Sequence, residues 1–187
     1  VIVNNPNKST SSSANSKRYL TFFTNLALAT LSIILVYYTN LIILIPILFG
    51  LGVPLINIDK PIKQKIIFTL IIIIFSIVIF IFTIWAAISF HLDKYIFPGL
   101  LVGVSGIGIL SINGYFIKAI KLNFKSITIT FILSGLSLTL WELLFENLLP
   151  NSFVNLDIFR NYGVMLLWMV MTTIGICMSI KVPNKLT

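Results

Sequence analysis

The stretch "IIFTLIIIIFSIVIFIFTIWAAISF" occupies residues 66–90 and contains no charged residue. A helix needs ~20 predominantly apolar residues to cross a bilayer core ~30 Å thick. Inside lipid no water is available to the backbone N–H and C=O groups. A helix, which satisfies them internally, is therefore the form this segment must take.

The rest of the chain has the same character. Hydrophobic residues make up 58% of its 187 residues and charged residues only 10%, and the mean hydropathy is +1.05. Soluble domains carry about a quarter charged residues, so this chain has too little polar surface to face water. The solvent is lipid. Five further segments read as spans: 19–38, 41–58, 96–117, 126–149 and 163–180. The second is short and holds Pro46 and Pro54, which suit a kinked or partly re-entrant helix.

Charge placement tests the count. The formal net charge is +8, but the basic residues sit in clusters between apolar runs. With six spans and both ends in the cytoplasm, the inner segments hold Lys8, Lys17 and Arg18; Lys60, Lys63 and Lys65; Lys118, Lys121 and Lys125; Lys181 and Lys185. Of the 13 basic residues, only Lys94 and Arg160 fall outside. That obeys the positive-inside rule at every loop. Omitting the second span scatters the later clusters to alternate sides. Tyr37, Tyr38, Tyr95 and Tyr162 fall at outer span ends, as an interfacial aromatic belt requires. Basic clusters placed this way report topology, and no basic face with interleaved aromatics points to nucleic acid.

The expected fold is all-α: a polytopic integral membrane bundle of six transmembrane helices, arranged as three antiparallel hairpins with both termini cytoplasmic. Residues 1–17, rich in Asn and Ser, read as a disordered polar tail, 18–181 as the six-span domain and 182–187 as a short cytoplasmic tail. Lys17-Arg18 before an apolar run with "ALA" at 27–29 resembles a signal peptide. The run continues well past that point, so an uncleaved first span is expected. The compact, loop-poor layout suits a prokaryotic inner membrane, and an organelle membrane would look similar.

Two stretches echo each other. "FGLGVPLIN" (49–57) and "SGIGILSIN" (105–113) align without a gap, placing Gly50, Gly52 and Asn57 on Gly106, Gly108 and Asn113. A basic cluster follows each, as in a repeated two-helix unit. Gly99 and Gly103 have the four-residue spacing that lets helices approach closely in lipid. Gly50, Gly52, Gly99, Gly103, Gly106 and Gly108 are thus candidate helix-packing positions. Trp85, Trp141 and Trp168 read as packing residues or interfacial anchors, and the single cysteine, Cys177, as a small buried hydrophobe.

Few residues offer chemistry. "GVSG" (103–106) resembles the nucleophile motif of rhomboid intramembrane proteases, a family of six-span bundles whose serine takes its base from a histidine on a later span. The single histidine here, His91, precedes the motif and sits in an outer loop, so no base for Ser105 is evident. No His–carboxylate spacing suits a metal, and no paired Asp cluster or phosphate loop occurs. No catalytic residue, metal or cofactor is assigned. Small six-span substrate-binding subunits of vitamin transporters resemble this chain in size and topology, as do small three-hairpin stress-associated membrane proteins of bacteria. Those are likenesses of shape without a shared motif.

The remaining polar feature is "ELLFE" (142–146) within the fifth span. Glu142 and Glu146 are one turn apart and share a helix face, which continues back through Thr139 and Gly135 to Thr128. A carboxylate inside hydrocarbon costs several kcal/mol unless paired, protonated or hydrated. That face is therefore expected to point into the bundle, with Arg160, Lys94 or His91 as partners. Asp93 and Asp157 lie on the same outer side. Glu142, Glu146, Thr139 and Arg160 form the candidate ligand or ion site. The leading expectation is a non-enzymatic protein that binds or passes a small solute or cation near the outer face. The alternative is an assembly subunit holding other membrane subunits, or a second copy of the chain, through its Gly-rich spans. An intramembrane enzyme is the least favoured class.

Overall fold

The computed structural model describes the backbone of residues 6–89, 96–143 and 157–181, and the side chains of 15–86, 99–141 and 162–181. Six helices follow one another: α1 (Pro6–Thr39), α2 (Leu44–Asn57), α3 (Ile62–Ser89), α4 (Ile96–Phe116), α5 (Phe124–Leu143) and α6 (Asp157–Ser179). Five of them are long and apolar enough to cross a membrane; α2, with 14 residues, is the exception. At ~1.5 Å rise per residue it spans ~21 Å. Its expected segment, 41–58, is shortened by a turn over 41–43.

Two boundaries differ from expectation. α1 begins at Pro6, inside the segment 1–17 whose composition predicts disorder. Proline suits the first turn of a helix, where its missing N–H is not needed, and the apolar run that follows extends the helix without a break. α3 begins at Ile62, so Lys63 and Lys65 lie in its first turn rather than in a loop.

Each helix packs against its neighbours in the chain, and α6 closes on α1. Lipid is as apolar as the side chains, so there is little hydrophobic force to drive this closure. Close approach and buried hydrogen bonds supply it instead. Glycines mark five of the six seams. Gly52 of α2 lies against Asn25 of α1, and Gly50 faces Ile73 and Ser76 of α3. Gly108 of α4 meets Ile79 of α3, while Gly106 meets Ser134 of α5. A Cβ on Gly135 of α5 would sit 2.9 Å from the Gly99 carbonyl oxygen, and one on Gly103 2.8 Å from the Phe131 ring. On α6, Gly163 lies under the Trp141 ring and Gly175 against Thr130. The α1–α6 seam is closed differently: an Arg18 guanidinium N–H donates to the Ile180 carbonyl at 2.7 Å, and Cys177 Sγ donates to the Arg18 carbonyl at 3.5 Å.

The sequence echo recurs in three dimensions. In both stretches the first glycine faces the following helix and the second faces the preceding one. Asn57 and Asn113 are both buried, and each donates through Nδ2 to the carbonyl four residues earlier at 2.9 Å.

α6 has the most buried apolar window of the five long helices and α3 shares the least with 22%. Trp168 of α6 reaches across to Phe49 of α2 and Phe80 of α3, with ring centroids 5.5 and 6.4 Å apart. α3 instead turns Leu70, Ile74, Phe75, Val78 and Phe82 outward, as a lipid-facing helix does. Tyr37 and Tyr38 are exposed at the end of α1.

Because the Gly99 and Gly135 backbones cannot yield to a side chain, Gly135→Leu should cost ~1–3 kcal/mol. Ile74→Leu, on the exposed face of α3, should stay within ~0.5 kcal/mol. Unfolding midpoints of the two variants in detergent measure the difference.

Candidate functional site

α5 decides where the expected site falls. Its buried face is Ser126, Thr130, Ser134 and Ser137, spaced by four, four and three residues. Each hydroxyl is satisfied locally. Thr130 donates to the Ser126 carbonyl at 2.8 Å and Ser137 to the Ser134 carbonyl at 2.6 Å. Ser134 and Thr172 Oγ1 of α6 share a hydrogen bond of 2.8 Å across the seam. This small, hydrogen-bonded stripe lets α5 approach α4 and α6 closely.

Thr139 lies ~200° around the helix from Ser137 and is exposed. Thr139 itself therefore does not point into the bundle, whereas Gly135, one turn earlier on the expected face, is packed against Gly99. The serine spacing was visible in the sequence and marks a second inward-facing row. Glu142 belongs to α5 and Arg160 to α6, with both side chains outside the described residues; Glu146 and His91 lie outside them altogether. Ser105 is buried, and its hydroxyl donates to the Val102 carbonyl at 2.7 Å. Among the described residues no group of His, Cys, Asp and Glu is placed to hold a metal.

A cavity of about 220 Å³ lies among α3, α4, α5 and α6. Phe80, Ile84, Val102, Leu138, Met165 and Trp168 give it an apolar wall. Three hydroxyls line it as well. Thr83 donates to the Ile79 carbonyl at 2.7 Å, and Ser105 and Ser137 are likewise bonded within their own helices. Trp168 is the exception. It is only 7% exposed, and its Nε1–H has no hydrogen-bond partner among the described residues. A buried indole N–H normally finds an acceptor, and leaving one unmet costs ~1–3 kcal/mol. Trp168 thus lines an apolar cavity and carries a buried indole N–H with no partner among the described residues. A smaller apolar cavity of ~150 Å³ is large enough to hold benzene.

Leu138 on this wall precedes Glu142 by one helical turn. The cavity is therefore continuous in register with the expected site, although the residues that line it are different ones. No protein-family model, curated protein or solved structure matches the chain.

Thr139→Ala should leave stability within ~0.5 kcal/mol, because the side chain meets no interior partner. Ser134→Ala combined with Thr172→Val should show a coupling of ~0.6 kcal/mol, as interhelical hydrogen bonds in membranes do. A double-mutant cycle on unfolding in detergent reads both.

Proposed function

We propose that this chain is a non-enzymatic multi-pass membrane protein that binds a small, mainly apolar solute among α3, α4, α5 and α6. The observation that carries the reading is the apolar cavity itself, lined by Trp168, whose buried indole N–H has no partner among the described residues. Small-molecule sites are concave and mostly apolar, with a few polar groups that fix orientation. A solute with one hydrogen-bond acceptor on a compact hydrocarbon body matches that chemistry.

In this reading the bundle crosses a prokaryotic inner membrane six times as three antiparallel hairpins, with both termini cytoplasmic. Support comes from contacts at one end of the bundle. Lys17 pairs with Asp59 at 2.9 Å, Lys65 donates to the Leu55 carbonyl at 2.6 Å, and Arg18 reaches Ile180. The Lys17–Arg18 level of α1, the start of α3 and the ends of α2 and α6 therefore gather together. In this reading α2 returns across the bundle despite its length. The assembly-subunit alternative gains nothing from Gly99 and Gly103, since both are occupied by α5.

Binding is tested by mass spectrometry of small molecules retained through purification in mild detergent. Leu138→Trp, which fills the cavity, should lower retention at least tenfold. Trp168→Phe should lower it about fivefold, the equivalent of ~1 kcal/mol for a hydrogen bond. Unchanged retention in both folded variants would sink the reading.

Topology is tested separately in Cys177→Ser protein by labelling with an impermeant maleimide. Cysteines at positions 63, 118 and 181 should react from one side and a cysteine at position 39 from the other. Reaction of 39 and 63 from the same side would mean that α2 does not cross.

A further inference from the structure

A second concavity lies at the end of the bundle where α1, α5 and α6 meet. It measures about 540 Å³, and Arg18, Lys121, Lys125 and Lys181 stand around it with Asn123 and Ser126. Among the described residues no acidic one lines it. The one ion pair among the described residues, Lys17–Asp59, involves none of its lining residues. Four cations are thus gathered around one hollow with no carboxylate among the described residues to offset their repulsion.

The backbone holds them there. The segment after α4 pairs with the end of α6 through an isolated antiparallel bridge between Ile120 and Ile180. Lys121 N–H donates to the Ser179 carbonyl at 2.8 Å, and Lys181 N–H donates to the Ala119 carbonyl at 2.7 Å. Lys121 and Lys181 flank the paired isoleucines, so both project to the face opposite them, as diagonal neighbours. Arg18 is pinned from α1 by its bond to Ile180, while its Nε, buried, has no partner among the described residues.

The α5 N-terminus enters the same hollow. Asn123 caps it reciprocally with Ser126: Ser126 N–H donates to Asn123 Oδ1 at 2.8 Å, and Asn123 N–H donates to Ser126 Oγ at 3.1 Å. The capped end still presents the positive pole of a helix 20 residues long. Toward the apolar part of the bundle the wall changes character. Ile129 and Met178 line it there, and Met178 is 54% exposed. The hollow is therefore cationic at the helix ends and apolar along the helix flanks.

We infer that this hollow binds the phosphate group of an anionic phospholipid. The headgroup lies among Arg18, Lys121, Lys125 and Lys181, and the acyl chains run along Ile129 and Met178. Basic pockets between membrane helices recognise lipid phosphates in this way, and a guanidinium adds forked donors that match phosphate oxygens. A soluble phosphate has the same charge but no use for the apolar wall, so the wall favours the lipid. Binding here would also tie α1 to α5 and α6 across the one seam that lacks a glycine.

The test uses full-length protein in nanodiscs of mixed phosphatidylglycerol and phosphatidylcholine, with lipid adducts counted by native mass spectrometry. The variant Lys121→Gln/Lys125→Gln/Lys181→Gln removes charge at exposed positions, and unchanged unfolding in pure phosphatidylcholine verifies that it folds. A control, Lys60→Gln/Lys63→Gln/Lys118→Gln, removes the same charge outside the hollow. We expect the first variant to lose phosphatidylglycerol adducts at least about tenfold, since each basic residue near an anionic headgroup contributes roughly fivefold. The control should lose less than about twofold, because its lysines do not line the hollow and exposed charges more than ~8–10 Å away are largely screened. Equal losses in the two variants, or none in either, would overturn the site. Inorganic phosphate at millimolar concentration should neither displace the lipid nor raise the unfolding temperature. If it does both, and only when the hollow is intact, the ligand is a soluble phosphate and the phospholipid assignment falls.

Discussion

The separation of α4 and α5 is set by two backbones in contact, Gly99 against Gly135, and the bundle depends on approaches of this kind. In water, burial of apolar area would hold the helices together at ~25 cal/mol per Å². In lipid that term nearly vanishes, because leaving a neighbouring helix for an acyl chain changes little. What remains is dispersion between close surfaces and hydrogen bonds with no solvent to replace them. Both demand small residues at the seams. Gly106 adds to the same seam, Gly50, Gly52, Gly108, Gly163 and Gly175 meet that demand at the other glycine seams, and serines and threonines do so along α5.

This constraint explains what was legible in the sequence. Five long apolar helices were readable because a backbone in lipid has to be helical over a known length. Several packing glycines were readable because nothing else lets helices approach so closely, and the echo of Gly50, Gly52 and Asn57 in Gly106, Gly108 and Asn113 proved to be an echo of contacts. The serine and threonine row of α5 was not readable from Glu142 and Thr139. A carboxylate suggests an interior by its cost alone, whereas the bundle selects its interior by size. Ser126, Thr130, Ser134 and Ser137 are smaller and bond within their own helix or across the seam, so they win the interior. The α2 boundary was blurred for a related reason. Residues 41–43 are as apolar as the helix they precede, and hydropathy does not distinguish a turn from a helix start.

Neither the cavity nor the basic hollow was visible in the sequence. Trp168 looks like any core tryptophan until Phe49 and Phe80 are found on α2 and α3 and its Nε1–H is found without an acceptor among the described residues. The basic residues of the hollow come from three stretches of chain, Arg18, Lys121 with Lys125, and Lys181, and in sequence each reads as a separate topology signal. Their convergence depends on the Ile120–Ile180 bridge, a pairing of two short segments that no periodicity announces. A basic cluster that reads as a topology signal in the sequence is thus gathered into one hollow by the fold.

The pattern of hydrogen bonds also separates binding from passage. A path for ions through the seam between α5 and α6 would need polar groups that face one another and exchange partners with a moving ion. Thr130, Ser137, Thr173 and Ser179 instead donate to carbonyls in their own helix, and Ser134 and Thr172 are spent on each other. Rotating any one of these hydroxyls toward an ion would break a buried bond worth ~0.5–1.5 kcal/mol, and the next hydroxyl along would have to repeat the step. Along this described seam, polarity therefore serves as an adhesive rather than as a lining. Trp168, whose buried Nε1–H has no partner among the described residues, lines the cavity. Under the proposed reading a solute held in that cavity leaves the bonds of this seam in place.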